Sequence, residues 1–189
     1  MNIILASQSP RRRELLTRMG LTFTVHAADI DEHMDRSLTP DKLVEAISRE
    51  KAAAAAGDFD QNALIIAADT VVALDNEVLG KPHDKADAKR MLTHLSGREH
   101  QVYTGFTVRQ GEKVVTRSEC TLVKFRTLEG SEIDAYIATG EPMDKAGAYG
   151  IQEKGALLVE HLRGDYFNVM GLPVCALGLV LKEFGVRCL

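Results

Sequence analysis

Apolar and polar positions follow a helical or a strand period along most of this chain, and one stretch follows neither. Ala63-Leu-Ile-Ile-Ala-Ala-Asp69-Thr-Val-Val-Ala-Leu74 is a continuous apolar run with no Gly or Pro and one carboxylate near its middle. Such a run predicts a strand covered on both faces. A carboxylate placed there costs several kcal/mol unless a cation or hydrogen-bond donors meet it. Asp69 therefore pairs with a buried Arg, marks a bend at Asp69-Thr70, or faces a cleft where a metal or a proton is handled.

Helical stripes surround that run. Ser9-Pro10 is an N-cap followed by a proline suited to the first helical position, and Leu15, Leu16 and Met19 form the stripe that Gly20 closes. Thr39-Pro40 repeats this start for a helix through Leu43, Val44, Ile47 and Lys51 to Ala56, with Gly57 after it. Asp84 caps a helix with Ala88, Met91, Leu92 and Leu95 on one face. Thr127 or Ser131 caps a shorter one with Ile133, Tyr136 and Ile137, and Val174 to Phe184 reads as a closing helix. Strand signals occupy Asn2 to Ala6, Thr22 to Ala27 and Ala156 to Leu162. A long hairpin pairs Gln101–Arg109 with Val114–Phe125 across Gln110-Gly111.

Several charges sit where these patterns do not want them. Arg11, Arg12 and Arg13 occupy the first turn of a helix, where partial positive charge favours anions over cations. Consecutive residues are about 100° apart and cannot share one face. The turn is either solvated, with Glu14 as partial counterion, or a phosphate site made of Arg side chains and backbone N–H groups. Lys51 lies on the apolar stripe of its helix, so its ammonium either snorkels to water or reaches a polar cleft. Lys81 is braced between Gly80 and Pro82, one short hairpin from Asp69. Glu32 belongs to the acidic stretch Asp29-Ile-Asp31-Glu32-His33-Met34-Asp35, by itself a weak metal signal.

Composition narrows the classes. A chain of 189 residues suffices for one substantial core, or for one domain with two lobes around a cleft. A net charge of -4 gives no footprint for bulk nucleic acid. No apolar run approaches the roughly 20 residues of a membrane helix, and the first residues carry no signal-peptide pattern. Three scattered cysteines (Cys120, Cys175, Cys188) have no metal-ligand spacing and suggest a reduced, cytoplasmic protein. Walker and dinucleotide glycine loops, a nucleophile elbow and paired histidines are all absent. What remains is acids and cations at helix starts and in braced loops, the set that phosphoryl transfer with a divalent metal requires.

The sequence resembles the Maf family of nucleoside triphosphate pyrophosphatases. The resemblance opens on Leu5-Ala-Ser7-Gln-Ser-Pro-Arg11-Arg12-Arg-Glu-Leu-Leu16 and continues through Arg49-Glu-Lys51-Ala52, Ala68-Asp69-Thr70, Gly80-Lys81-Pro82 and Ser96-Gly-Arg98. It extends over Thr104-Gly105, Gly140-Glu-Pro142, Asp144-Lys-Ala-Gly-Ala-Tyr-Gly-Ile-Gln152 and Gly171-Leu-Pro173. It implies a single α/β domain over residues 1–189, with an elongated, mixed, twisted sheet flanked by helices in two lobes around a cleft, like the inosine-triphosphate pyrophosphatases. It implies hydrolysis of an NTP to NMP and pyrophosphate with Mg²⁺ or Mn²⁺, and a dimer is common. By position, Asp69 is the catalytic acid/base, and Glu32 shares metal or water activation with it. Ser7, Arg11, Lys51 and Lys81 bind phosphates. Arg12, Thr70 and Gln152 match the branch that acts on dTTP and UTP, and a Gln amide has the donor and acceptor to pair with O4 and N3–H of uracil or thymine. The expected activity removes normal or modified pyrimidine triphosphates. A nucleotide-binding regulator of cell division and a monophosphate or phosphoprotein phosphatase are the alternatives.

Overall fold

A computed structural model describes residues 2–26, 34–35, 37–75 and 77–189. Glu32, expected to share the catalytic work, lies outside the described residues.

In chain order the elements are β1 (Ile3–Leu5), α1 (Pro10–Arg18), β2 (Thr24–Val25), α2 (Pro40–Ala56), β3 (Leu64–Leu74), β4 (Glu77–Leu79) and α3 (Lys85–Leu95). Then come β5 (Glu99–Gln110), β6 (Lys113–Phe125), α4 (Gly130–Ala138), β7 (Val159–Arg163), α5 (Tyr166–Met170) and α6 (Val174–Glu183). Seven strands among the described residues form a mixed sheet in the order β2-β1-β3-β5-β6-β7, with β4 paired to β3. β1 runs parallel to β2 and β3, whereas β3–β4 and β6–β7 are antiparallel. The α/β class with a mixed sheet expected from the sequence is the class found.

The chain divides into two compact units. The first holds Met1–Asp69, Thr104–Glu119 and Gly171–Leu189, and the second holds Thr70–Tyr103 and Cys120–Met170.

In the first unit, Ala63, Ile65 and Ala67 of one strand face join Ile4 and Ala6 from β1 and pack on Ala52 and Ala55 of α2. The alternating set Leu64, Ile66 and Ala68 is equally buried, so this half of β3 is covered on both faces, as its unbroken apolar run requires. Helix α2 also lies hard against β5. A Cβ built on Gly105 would stand 2.4 Å from the Val44 carbonyl carbon and 2.7 Å from the Glu45 nitrogen. Beside this contact the buried hydroxyls of Ser48, Thr107 and Thr116 form a chain with 2.9 Å steps.

The second unit packs α3 (Ala88, Met91, Leu92, Leu95) and α4 (Ile133, Tyr136, Ile137) over Val72, Leu74, Val123 and Phe125. His100 belongs to this core. It is 1% exposed, meets Phe125 and Tyr149 edge-on, and its Nε2 is 2.8 Å from the Tyr149 hydroxyl. Its Nδ1 has no hydrogen-bond partner among the described residues. Burial alone lowers the His100 pKa from 6.5 to about 4. The unfolded chain thus takes up a proton near pH 6.5 that the folded chain refuses until about pH 4. Stability from this group is complete above the unfolded value and is lost as pH falls toward the folded one. Between about pH 7.5 and pH 5 the loss is about 2 kcal/mol. Denaturant unfolding at the two pH values checks this: His100→Gln should flatten the difference, and an unchanged difference contradicts it.

Several local expectations need correction. The strand expected over Thr22 to Ala27 covers only Thr24–Val25 among the described residues. Thr39 is the N-cap of α2 with Pro40 at the first helical position, as expected, but its side chain makes no capping hydrogen bond. Glu129, not Thr127 or Ser131, is the N-cap of α4. Its N–H donates to Glu132 at 2.9 Å, and Glu132 also holds Arg126. That pairing pulls the Glu132 carboxyl down to about 2. The strand expected from Ala156 begins only at Val159, because Lys154–Leu158 winds into a 3₁₀ turn that leaves Leu157 71% exposed. Tyr166–Met170 forms the short helix α5, an element that the sequence patterns did not mark.

Candidate active site

The site is built on a register. β1 pairs with β3 so that Leu5 lies across from Ile66. Ser7 and Asp69 follow those partners by two and three residues, at the carboxyl ends of the β1 ladder. Open α/β sheets bind ligands outside the carboxyl ends of their parallel strands.

Asp69 continues the row Ala63, Ile65, Ala67 that faces α2. Lys51 stands one turn before Ala55 on the helix surface that covers this row. The apolar spacing that packs α2 onto the strand therefore also delivers an ammonium to the carboxylate. Lys51 Nζ donates to Asp69 Oδ1 at 2.7 Å, with side chains 15% and 12% exposed. Lys51 does not snorkel to water; its ammonium meets the Asp69 carboxylate, a lysine where the expected buried partner was an arginine. Oδ2 accepts no hydrogen bond from the described residues.

Ser7 is 8% exposed, and its Oγ accepts from the Ser9 N–H and from Arg12 Nη1, both at 3.2 Å. A hydroxyl has two lone pairs and one proton. Both lone pairs are used, so what Ser7 can offer a ligand is its proton, to an anionic acceptor. Arg12 further donates from Nε to the Gly171 carbonyl at 2.8 Å, tying the turn before α1 to the residues before α6. The backbone supply at the start of α1 is smaller than its N-terminus suggests. Pro10 has no N–H, Arg12 N bonds to Ser9 Oγ, and Arg13 N to the Ser9 carbonyl. Anion binding here falls mainly to side chains. Arg11 and Arg12 are half-buried while Arg13 is exposed, as their angular spacing requires.

The first unit thus joins Ser7 to Arg12 and Lys51 to Asp69. Thr70, Lys81 and Gln152 belong to the second. Thr70 is half-buried and points from β3 opposite to Asp69. The β3–β4 register pairs Val72 with Leu79, and the exposed Lys81 follows in the turn two residues after Leu79. The Gly80 carbonyl accepts from Gly147 N–H at 3.0 Å, which fixes the Lys81 turn to the segment leading to Gln152. Gly147 is required there: its φ is +67°, and a Cβ would meet Val72 Cγ2 at 2.7 Å. Ala148 follows at φ 59°, a strained left-handed alanine fully buried beside Tyr149.

Among the described residues no group of three or more His, Cys, Asp and Glu side chains gathers at metal-binding distance. Asp69 alone still suits Mg²⁺ or Mn²⁺, hard ions that need one or two carboxylates and take their other ligands from phosphates and water.

The sequence missed four contributors. The Gly171 carbonyl holds Arg12 across the length of the chain, which no local pattern announces. Gly105 admits α2, signalled only by a glycine within an alternating strand. Tyr136 and Glu141 bracket Gln152, as described below.

The family described as Maf-like protein matches residues 2–184. A protein of Moorella thermoacetica named dTTP/UTP pyrophosphatase is 53% identical over 97% of this chain and 95% of its own length. One of Bacillus pumilus with the same name is 48% identical over 97% of each. Among solved structures, a HAM1 protein from Coxiella burnetii covers 97% of this chain and 99% of its own, with a TM-score of 0.55 at 18% identity. The Ham1 protein of Staphylococcus aureus covers 97% and 100%, with a TM-score of 0.52 at 13% identity. Those two likenesses establish the fold. With the family match spanning nearly every residue and relatives near half-identical along their full lengths, this chain belongs to the Maf family.

Proposed function

We propose that this chain is a nucleoside triphosphate pyrophosphatase that hydrolyses dTTP and UTP to the monophosphate and pyrophosphate. The activity rests on the full-length relatives that carry this name. The assignment of residues rests on one observation, the buried contact between Lys51 and Asp69 midway along β3, just past its parallel pairing with β1.

In the proposed reaction Asp69 accepts a proton from a water whose oxygen bonds to the α-phosphorus. The bond from that phosphorus to the bridging oxygen breaks, and pyrophosphate departs with the electron pair. Lys51 shares its charge between Asp69 and a phosphate oxygen, Arg11 and Lys81 meet the remaining phosphate charge, and Ser7 donates its proton to another oxygen. A divalent cation held by Asp69, with Glu32, would offset phosphate charge and polarise the phosphoryl oxygens. Arg12 holds Ser7 in its donor state, while Thr70 and Gln152 serve the base. The Gln152 amide matches O4 and N3–H of uracil or thymine, and a base with the reverse pattern leaves polar groups unpaired.

A nucleotide panel with Mg²⁺ or Mn²⁺ tests this. UTP and dTTP should be the preferred substrates, yielding UMP or dTMP with pyrophosphate. Nucleoside diphosphate with orthophosphate would refute the bond assignment, and preferred purine turnover would refute the base assignment.

A further inference from the structure

Gln152 stands in a loop, residues 150–155, whose two ends touch. A Cβ on Gly155 would lie 2.0 Å from the Gly150 carbonyl oxygen and 2.6 Å from the Tyr136 hydroxyl, so only glycine closes the loop. Three backbone N–H groups around Gln152 are satisfied by two side chains from outside the loop. Gly150 N donates to the Tyr136 hydroxyl at 3.1 Å. Gly155 N and Lys154 N donate to Glu141 Oε1 and Oε2, each at 3.1 Å. The Tyr136 hydroxyl in turn donates to Glu141 Oε1 at 2.9 Å, which locks the two side chains together. Burial of Tyr136 raises its pKa, so the phenol stays protonated and keeps this donor role. Glu141 is itself anchored, its N–H donating to Thr139 Oγ1 and its carbonyl accepting from Lys145 Nζ.

We propose that Glu141 and Tyr136 form a positioning pair for base selection, holding the 150–155 loop so that the Gln152 amide meets the pyrimidine edge. This rests on the reading of Gln152 as the base-contacting residue. The carboxylate is the suitable group for this position. Its oxygens are acceptors only, and here they face two backbone N–H groups and one phenol O–H. An amide at residue 141 would turn an NH₂ toward one of those donors. Holding the backbone on either side of Gln152 reduces the loop freedom that would otherwise be lost at each binding event.

UTP and CTP separate this role from general stability, because they differ in the donor and acceptor pattern at positions 3 and 4. Steady-state kinetics with Mg²⁺ on both nucleotides are measured for the native chain, Glu141→Gln, Tyr136→Phe, Gln152→Ala and the Glu141→Gln/Gln152→Ala double variant. Gln152→Ala should lower the UTP/CTP ratio of kcat/KM by about tenfold or more. Glu141→Gln should lower it by about fivefold, mostly through KM for UTP, and Tyr136→Phe by a smaller factor. The double variant should discriminate no worse than Gln152→Ala alone. A purely structural role predicts lower thermal stability and equal losses on both nucleotides, and that result overturns the proposal. If Glu141→Gln fails to fold, the Tyr136→Phe ratio decides. An unchanged ratio in Gln152→Ala overturns the base reading and this pair with it, whereas a changed ratio there with none in Glu141→Gln and Tyr136→Phe overturns the pair alone.

Discussion

Asp69→Asn should lower kcat on UTP by about 10²–10⁴-fold, the range lost when a positioned general base is removed. The fold should survive. The amide oxygen can still accept from Lys51, so the buried ammonium keeps a partner and avoids the heavy penalty of a stranded charge. An amide cannot take a proton from water near neutral pH, and it is a poorer ligand for a hard divalent ion. Thermal unfolding of the variant should therefore stay near that of the native chain while turnover disappears. Substantial residual turnover would remove Asp69 from the chemistry.

Gly105→Ala should strongly lower stability. The added methyl would press on the Val44 carbonyl and the Glu45 nitrogen, which are main-chain atoms of α2 and cannot rotate away. Overpacking of this kind costs about 1–3 kcal/mol or more, here toward the upper end because backbone must move. For a chain of this size the midpoint should fall by about 6–12 °C. The displaced helix is the one that carries Lys51, so activity should fall beyond what the lost stability explains. A variant with an unchanged midpoint would mean that α2 does not rest on β5 as described.

Much of this was legible in the sequence because local chemistry fixed it. Ser9 with Pro10 and Asp84 with Asp87 are caps within a few residues, and both form. The misplaced charges were also informative. An acid in an apolar strand and a lysine on an apolar helical stripe each break a pattern, and the structure joins them. What stayed hidden depends on distant partners. Nothing near Arg12 announces the Gly171 carbonyl, and nothing near Gln152 announces that Glu141 and Tyr136 grip its loop. The late start of β7 belongs to the same class. Residues 156–158 carry an apolar pattern suited to a strand, but the crossing of Gly155 over Gly150 bends the backbone into a 3₁₀ turn first.

The central claim is that water, activated at Asp69, attacks the α-phosphorus of a pyrimidine triphosphate. Turnover of UTP in ¹⁸O-labelled water reads the attacked atom directly by mass spectrometry of the products. The label should appear in UMP, with none in pyrophosphate. Label in pyrophosphate, or in orthophosphate released beside UDP, would contradict the account.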